Sequence, residues 1–234
     1  MLDALTVIDP FAIKRHPKWH PLRVASVATS RGLEVMSRAL FPRAALPLVT
    51  ISDVEREEAD GPLEDTAVTR RQLAYLRHAL AAAERTTGTV AVEVGAFRGA
   101  TTHRLASSTA LRYVVVDPYA GYGGGEQDLA AFQARTGGLP NVEHQRVTSG
   151  AAARSWRLGR VAFLFVDAVH DFVNTSFDLA AWSPLLAPGA LVAMHDTDAY
   201  AYAGTRLAAW RFARGRELVA HVENLVIVRM PGPI

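Results

Sequence analysis

The sequence predicts an α/β protein. It should contain a doubly wound, mostly parallel seven-stranded sheet of Rossmann-like type, with an antiparallel C-terminal hairpin and a helical N-terminal extension. Three observations carry this. From residue 89 onward, short apolar runs rich in β-branched residues alternate with helical segments, the pattern of a parallel sheet covered on both faces. A glycine-containing turn, Glu93-Val-Gly95-Ala-Phe-Arg-Gly99, joins the first run to the first helix. The tail RELVAHVENLVIVRM (216–230) alternates apolar and polar residues on both sides of Glu223-Asn224, as a hairpin does.

Residues 1–50 differ in character from the rest of the chain. Pro10, Pro17, Pro21, Pro42 and Pro47 break them into short pieces. Val24 to Leu40 reads as one helix, with Val24, Val27, Ala28, Leu33, Met36 and Leu40 as its apolar face. This segment is too small for a domain. It is expected to act as a cap or a homodimer contact ahead of a main domain at 51–234. Ser52-Asp-Val-Glu55 and Thr69-Arg-Arg-Gln72 are capping-box patterns. Leu73, Leu76 and Leu80 come after the second at helical spacing, and Gly88 is the expected stop. Strands are then expected at 89–95, 112–117, 141–147, 161–167 and 189–196. Helices are expected at 98–108, Gln127 to Arg135, after Ser149, Asp171 to Leu186, and Ala203 to Arg214.

The chain has 234 residues, half of them hydrophobic, which suffices for one sizeable core. With no cysteine, disulfides, thiol nucleophiles and zinc–thiolate sites are excluded. The start, MLDALTVIDPF, lacks a cationic region, and no apolar run approaches the roughly 20 residues of a membrane helix. A soluble cytoplasmic protein with no membrane partner is expected. Net charge is only +2, which argues neither for nor against nucleic acid; there is no basic-aromatic stripe, and no nucleic-acid partner is expected.

In the glycine turn, Gly95 permits a sharp backbone reversal and Gly99 a close approach by a ligand or helix. A dinucleotide fingerprint would place a second glycine where Phe97 stands. Glu93 would sit badly beside a pyrophosphate but well beside a cation. S-adenosylmethionine fits: its ammonium suits Glu93, and its carboxylate suits the backbone N–H groups from Ala96 to Gly99 and the Thr101 hydroxyl. Asp117, ending the second strand, can accept from both ribose hydroxyls. Tyr119, Tyr122 and the glycine-rich loop at 118–127 could close over this cofactor.

The fourth strand ends in Asp167, with His170 and Asp171 just beyond, and the fifth ends in His195-Asp196. Ionisable groups are costly to bury unpaired, and strand carboxyl ends are where ligands bind in such sheets. Two carboxylates and an imidazole converging there can hold a divalent ion. Asp171 reads as a helix N-cap.

Together, VEVGAFRGATT, YVVVDPY, FLFVDAVHDF and SPLLAPGALVAMHD resemble the class I S-adenosylmethionine-dependent methyltransferases, over about residues 88–230. More narrowly, they resemble the metal-dependent sugar O-methyltransferases related to the macrocin and mycinamicin enzymes, with the cephalosporin-hydroxylase-like group. The resemblance implies Mg²⁺ at the positions of Asp167, His195 and Asp196. His195 stands where the family tends to have an acid, which brings Mn²⁺ into range; its alternative role is to orient Asp196 or touch substrate, with Asp167 and Asp196 the firmer ligands. It also implies His170 as the general base, acting with Asp167 on a hydroxyl of a sugar, glycosylated metabolite or oligosaccharide. A catechol or phenol acceptor is the competing expectation, with Trp182, Trp210 or Trp19 supplying an aromatic slot. An NAD(P)-dependent oxidoreductase and a non-catalytic binding module are weaker readings.

Overall fold

The computed structural model describes residues 9–40, 45–55, 63–85, 90–121, 124–197 and 200–232. Two short helices, α1 (Pro10–Lys14) and α3 (Ser52–Glu55), flank the long α2 (Pro21–Ala39); α4 (Arg70–Glu84) comes next. The remainder is β1 (Val90–Val94), α5 (Ala100–Ala106), β2 (Arg112–Val116), α6 (Glu126–Thr136), β3 (Val142–Gln145), α7 (Ser149–Arg154), β4 (Val161–Val166), α8 (Phe172–Trp182), β5 (Leu186–Met194), α9 (Ala203–Ala213), β6 (Glu217–Val222) and β7 (Leu225–Arg229). The stop expected at Gly88 and the loop residue Tyr122 lie outside the described residues. So does the end of the helix expected over 52–58.

The seven strands form one sheet in the order β3-β2-β1-β4-β5-β7-β6. The five β1–β5 pair in parallel, and β7 pairs antiparallel with both β5 and β6. This is the predicted doubly wound sheet with its antiparallel edge. Strand order reverses between β1 and β4, where ligand crevices form at the carboxyl ends. Both faces are covered. Tyr75, Leu76, Tyr113, Phe163 and Phe165 pack one core; Val92, Val114, Leu164, Trp182 and Val192 pack the other. The central strands are fully buried, which is why β4 reads as a continuous apolar run.

Local chemistry sets the helix starts. Thr69 accepts from Gln72 N at 3.1 Å and Gln72 Oε1 accepts from Thr69 N at 2.8 Å, completing the predicted capping box. Asp171 caps α8 by accepting from Asn174 N at 2.7 Å. The predicted helix from Asp171 to Leu186 ends earlier, at Trp182, and passes through a 3₁₀ turn at Ser183–Leu185 because Pro184 cannot continue it.

α2 packs against α9 and α8; of its predicted apolar face, Leu33 and Leu40 are half-buried while Val24, Val27, Ala28 and Met36 face outward. Ser37 is the buried residue of the helix instead. On the inward side Glu34 Oε2 accepts from the Gly204 N–H of α9 at 3.0 Å.

Candidate functional site

A cavity of 420 Å³ opens at the carboxyl ends of β1, β2 and β4. The glycine turn forms its floor. Gly95 has φ +89°, and a Cβ there would stand 2.3 Å from the Asp167 carbonyl oxygen, so the turn and the end of β4 touch at a distance only glycine allows. Gly95→Ala is therefore expected to destabilise the protein by about 3 kcal/mol or more, read as a lowered urea midpoint with unchanged slope. Gly99 (φ +73°) is the N-cap of α5, and a Cβ there would meet the Phe132 ring at 2.8 Å. Of the two approaches the sequence allowed at Gly99, the structure has the helix: α6 packs there.

Glu93 is buried and lines the cavity. Its Oε2 has no hydrogen-bond partner among the described residues. Burial raises its pKa to about 8, although the Thr102 and Tyr113 hydroxyls beside it favour the ionised form. A buried acid with an orphaned oxygen is the arrangement a cationic ligand group completes. Ala96 and Thr101 also line the cavity; the Thr101 hydroxyl meets that of Thr66 at 2.9 Å.

Asp117 lines the cavity as predicted, but its carboxylate also clasps the turn. Oδ2 accepts from Ala96 N at 3.0 Å and Oδ1 from Tyr119 N at 2.9 Å. Tyr119 corrects an expectation. It is not among the cavity-lining residues; its hydroxyl donates to Phe97 O at 2.7 Å and its ring packs on Phe132 and His144. A left-handed backbone (φ +46°) turns the side chain under the loop instead of over the cavity. Burial pushes its pKa well up, so it stays a neutral structural phenol.

At the ends of β4 and β5, Asp167, His170 and Asp196 each offer a ligand atom within 4.8 Å of one another. All three line the same cavity. His170 Nδ1 lies 3.3 Å from Asp196 Oδ2, and the His170 ring packs on Tyr202 with centroids 4.9 Å apart. Asp196 adopts a left-handed backbone (φ +54°), and its Oδ1 accepts from Asn224 Nδ2 at 2.9 Å. Burial works to raise the Asp196 pKa, but His195, His170 and Asn224 outweigh it and hold the carboxyl below its usual range.

His195 takes a different place from the one the sequence suggested. Its side chain is fully buried, and Nδ1 faces Asp167 Oδ1 at 3.2 Å while Nε2 faces Gln72 Oε1 at 3.1 Å. Both neighbours are acceptors, because Gln72 Oε1 also accepts from Thr69 N. Both ring nitrogens therefore carry protons. Burial opposes this charge, but Asp167 and Asp196 overcome it and raise the pKa to about 10. The two ring nitrogens of His195 thus face Asp167 and Gln72. The histidine grouped with the two carboxylates is His170.

Sequence reasoning missed several residues. Asn174 and Asp178 line the cavity from α8; burial raises Asp178 to about 7. They interrupt the apolar run of α8 at i, i+4 spacing, a signal that was open to reading. Phe11 from α1 also reaches the cavity, and nothing in its sequence context announces it. Conversely, Trp182 is buried against Trp156 and Trp19 is exposed at the start of α2, and neither these nor Trp210 lines the cavity.

Residues 92–197 match the family described as a methyltransferase domain. The fold is also that of several solved structures, O-methyltransferases among them. Rv0187 from MTB, solved with cofactor bound, is 16% identical, with TM-score 0.55 over 94% of this chain and 100% of that one. The TDP-rhamnose 3'-O-methyltransferase CalS11 of calicheamicin biosynthesis is 16% identical, with TM-score 0.52 over 85% and 93%. The O-methyltransferase TomG from Streptomyces achromogenes, in complex with S-adenosylmethionine, is 16% identical, with TM-score 0.53 over 82% and 95%. No curated protein matches the chain in sequence. The architecture is thus the Rossmann-like fold seen in these methyltransferase structures.

Proposed function

We propose that the chain is an S-adenosylmethionine-dependent O-methyltransferase acting on a hydroxyl of a sugar or glycosylated small molecule. The observation that carries this is the shared cavity. Glu93, whose Oε2 has no hydrogen-bond partner among the described residues, Asp117 and the Asp167–His170–Asp196 cluster all line it. A methyl donor fixed by Glu93 and Asp117 presents its sulfonium to an acceptor fixed by the cluster, and methyl transfer needs mainly such positioning.

The donor set fits a divalent cation, Mg²⁺ or Mn²⁺, with Asp167 and Asp196 as hard oxygen ligands. When bound, such an ion stabilises a developing alkoxide. In this reading His170 removes the hydroxyl proton. Asp196 Oδ2 faces its Nδ1 at 3.3 Å, leaving Nε2 as the acceptor, and the Tyr202 ring packs on the imidazole. His195 is not in contact with the acceptor; it balances the charge of the two aspartates. CalS11, whose name records a TDP-rhamnose substrate, lends the sugar reading support.

The test is a methylation assay with a panel of sugar and phenolic acceptors, with and without EDTA. Chelator-sensitive turnover on sugar hydroxyls is expected; turnover confined to phenols would overturn the acceptor class. His170→Ala is expected to lower kcat by about 10²–10⁴-fold while leaving donor affinity unchanged. A collapse of Mg²⁺ affinity in that variant would instead make His170 a metal ligand.

A further inference from the structure

We infer that the outward face of α2 is the contact surface for a second copy of this chain, related by a two-fold axis crossing the helix near Ser30. A surface helix ordinarily turns its apolar stripe to the core. Here the inward side carries Ser26, Ser30, Glu34 and the buried Ser37, with Glu34 accepting from the first turn of α9. The outward side carries Val24, Ala25, Ala28, Gly32, Val35 and Met36, all exposed. Val35 is 66% exposed, Val24 53% and Met36 46%. Solvation of so continuous an apolar stripe is unfavourable, at roughly 25 cal/mol for each Å² left in water.

The pattern along this stripe selects the occupant. An isologous interface must be complementary to itself, residue i meeting j and j meeting i. Laid antiparallel about Ser30, the helix pairs Val24 with Met36, Ala25 with Val35 and Ala28 with Gly32 of the second copy. The smallest residues then meet at the crossing and the larger ones at its two ends. A Cβ placed on Gly32 meets nothing within 4 Å, so the groove is open. Two such helices can approach to about 8 Å. The face is about 28 Å long, which supplies part of the roughly 800 Å² per partner of a standard interface. Arg31 is the one charged residue on the outward side, at the edge of the stripe, so a polyanionic partner has little to bind there.

Sedimentation velocity on the full chain at about 10 µM tests this. A species of twice 25.3 kDa is expected. Val35→Asp should raise the dimer dissociation constant at least 100-fold with an unchanged circular dichroism spectrum and unchanged donor binding. Because the chain has no cysteine, Ala28→Cys and Gly32→Cys proteins provide a register test independent of dimer strength. Mixed and oxidised, they should form a disulfide-linked dimer, while each alone should not. A monomer at this concentration overturns the proposal, whether residues 1–8 or an unrelated partner covers the helix. A dimer indifferent to Val35→Asp and without the mixed crosslink overturns it equally.

Discussion

Glu93→Gln is expected to make the ligand-free protein more stable at pH 8 while sharply weakening its affinity for S-adenosylmethionine. In the folded chain burial raises Glu93 to about 8, against 4.5 for an exposed carboxyl. Unfolding between those values therefore releases a proton. For an acid whose folded pKa is raised, stability is full below the unfolded value, falls as pH rises through the window, and is lowest above about pH 8. A shift of this size corresponds to something on the order of 4 kcal/mol. Glutamine has the same shape and no charge, so the variant should match the wild type near pH 5 and exceed it by several kcal/mol at pH 8 in urea titrations.

Binding runs the other way. A cationic ligand group needs the ionised form, and a hydrogen bond to a charged group contributes about 1.5–3 kcal/mol. The variant should bind at least ten-fold more weakly. Wild-type affinity should rise with pH up to about 8, with proton release visible as a buffer-dependent enthalpy. Equal stability of the two proteins across this range would contradict the placement of Glu93 as an unpaired buried acid.

His195→Leu is expected to be strongly destabilising, by about 3–5 kcal/mol, because it leaves Asp167 and Asp196 facing each other without their buried counter-charge. It also strips Gln72 Oε1 of one of its two donors. Millimolar Mg²⁺ should recover part of the loss in thermal midpoint, since the ion supplies the missing positive charge between the same carboxylates. Asp167→Asn in the His195→Leu background should recover stability without metal and abolish the Mg²⁺ effect. A histidine that merely fills space would show neither rescue.

The parts of the fold that were legible in the sequence are those governed by local rules. The apolar run of β4, the Thr69 capping box and the Asp171 cap each arise from residues within a few positions of one another, and each is in the structure. The sheet order stems from alternating strands and helices with right-handed crossovers. What was not legible depends on residues far apart in the chain. His195 and Asp196 are adjacent at a strand end, and their neighbours say nothing of which one is turned away. That is decided by Gln72, 123 residues earlier. Tyr119 reads as a lid from its glycine-rich surroundings, yet its backbone angle turns it inward. The apolar stripe of α2 was visible, but its direction was not, because a stripe facing the core and a stripe facing a second molecule have the same period.

The central claim is that Glu93 and Asp117 hold a methyl donor in the cavity. Calorimetric titration of the full chain with S-adenosylmethionine and its demethylated product tests it most directly. Binding at low micromolar dissociation constants is expected, about 8 kcal/mol, with affinity lost in Glu93→Gln and kept in His170→Ala. Absence of heat with either ligand, in a protein that is folded by circular dichroism, would contradict it.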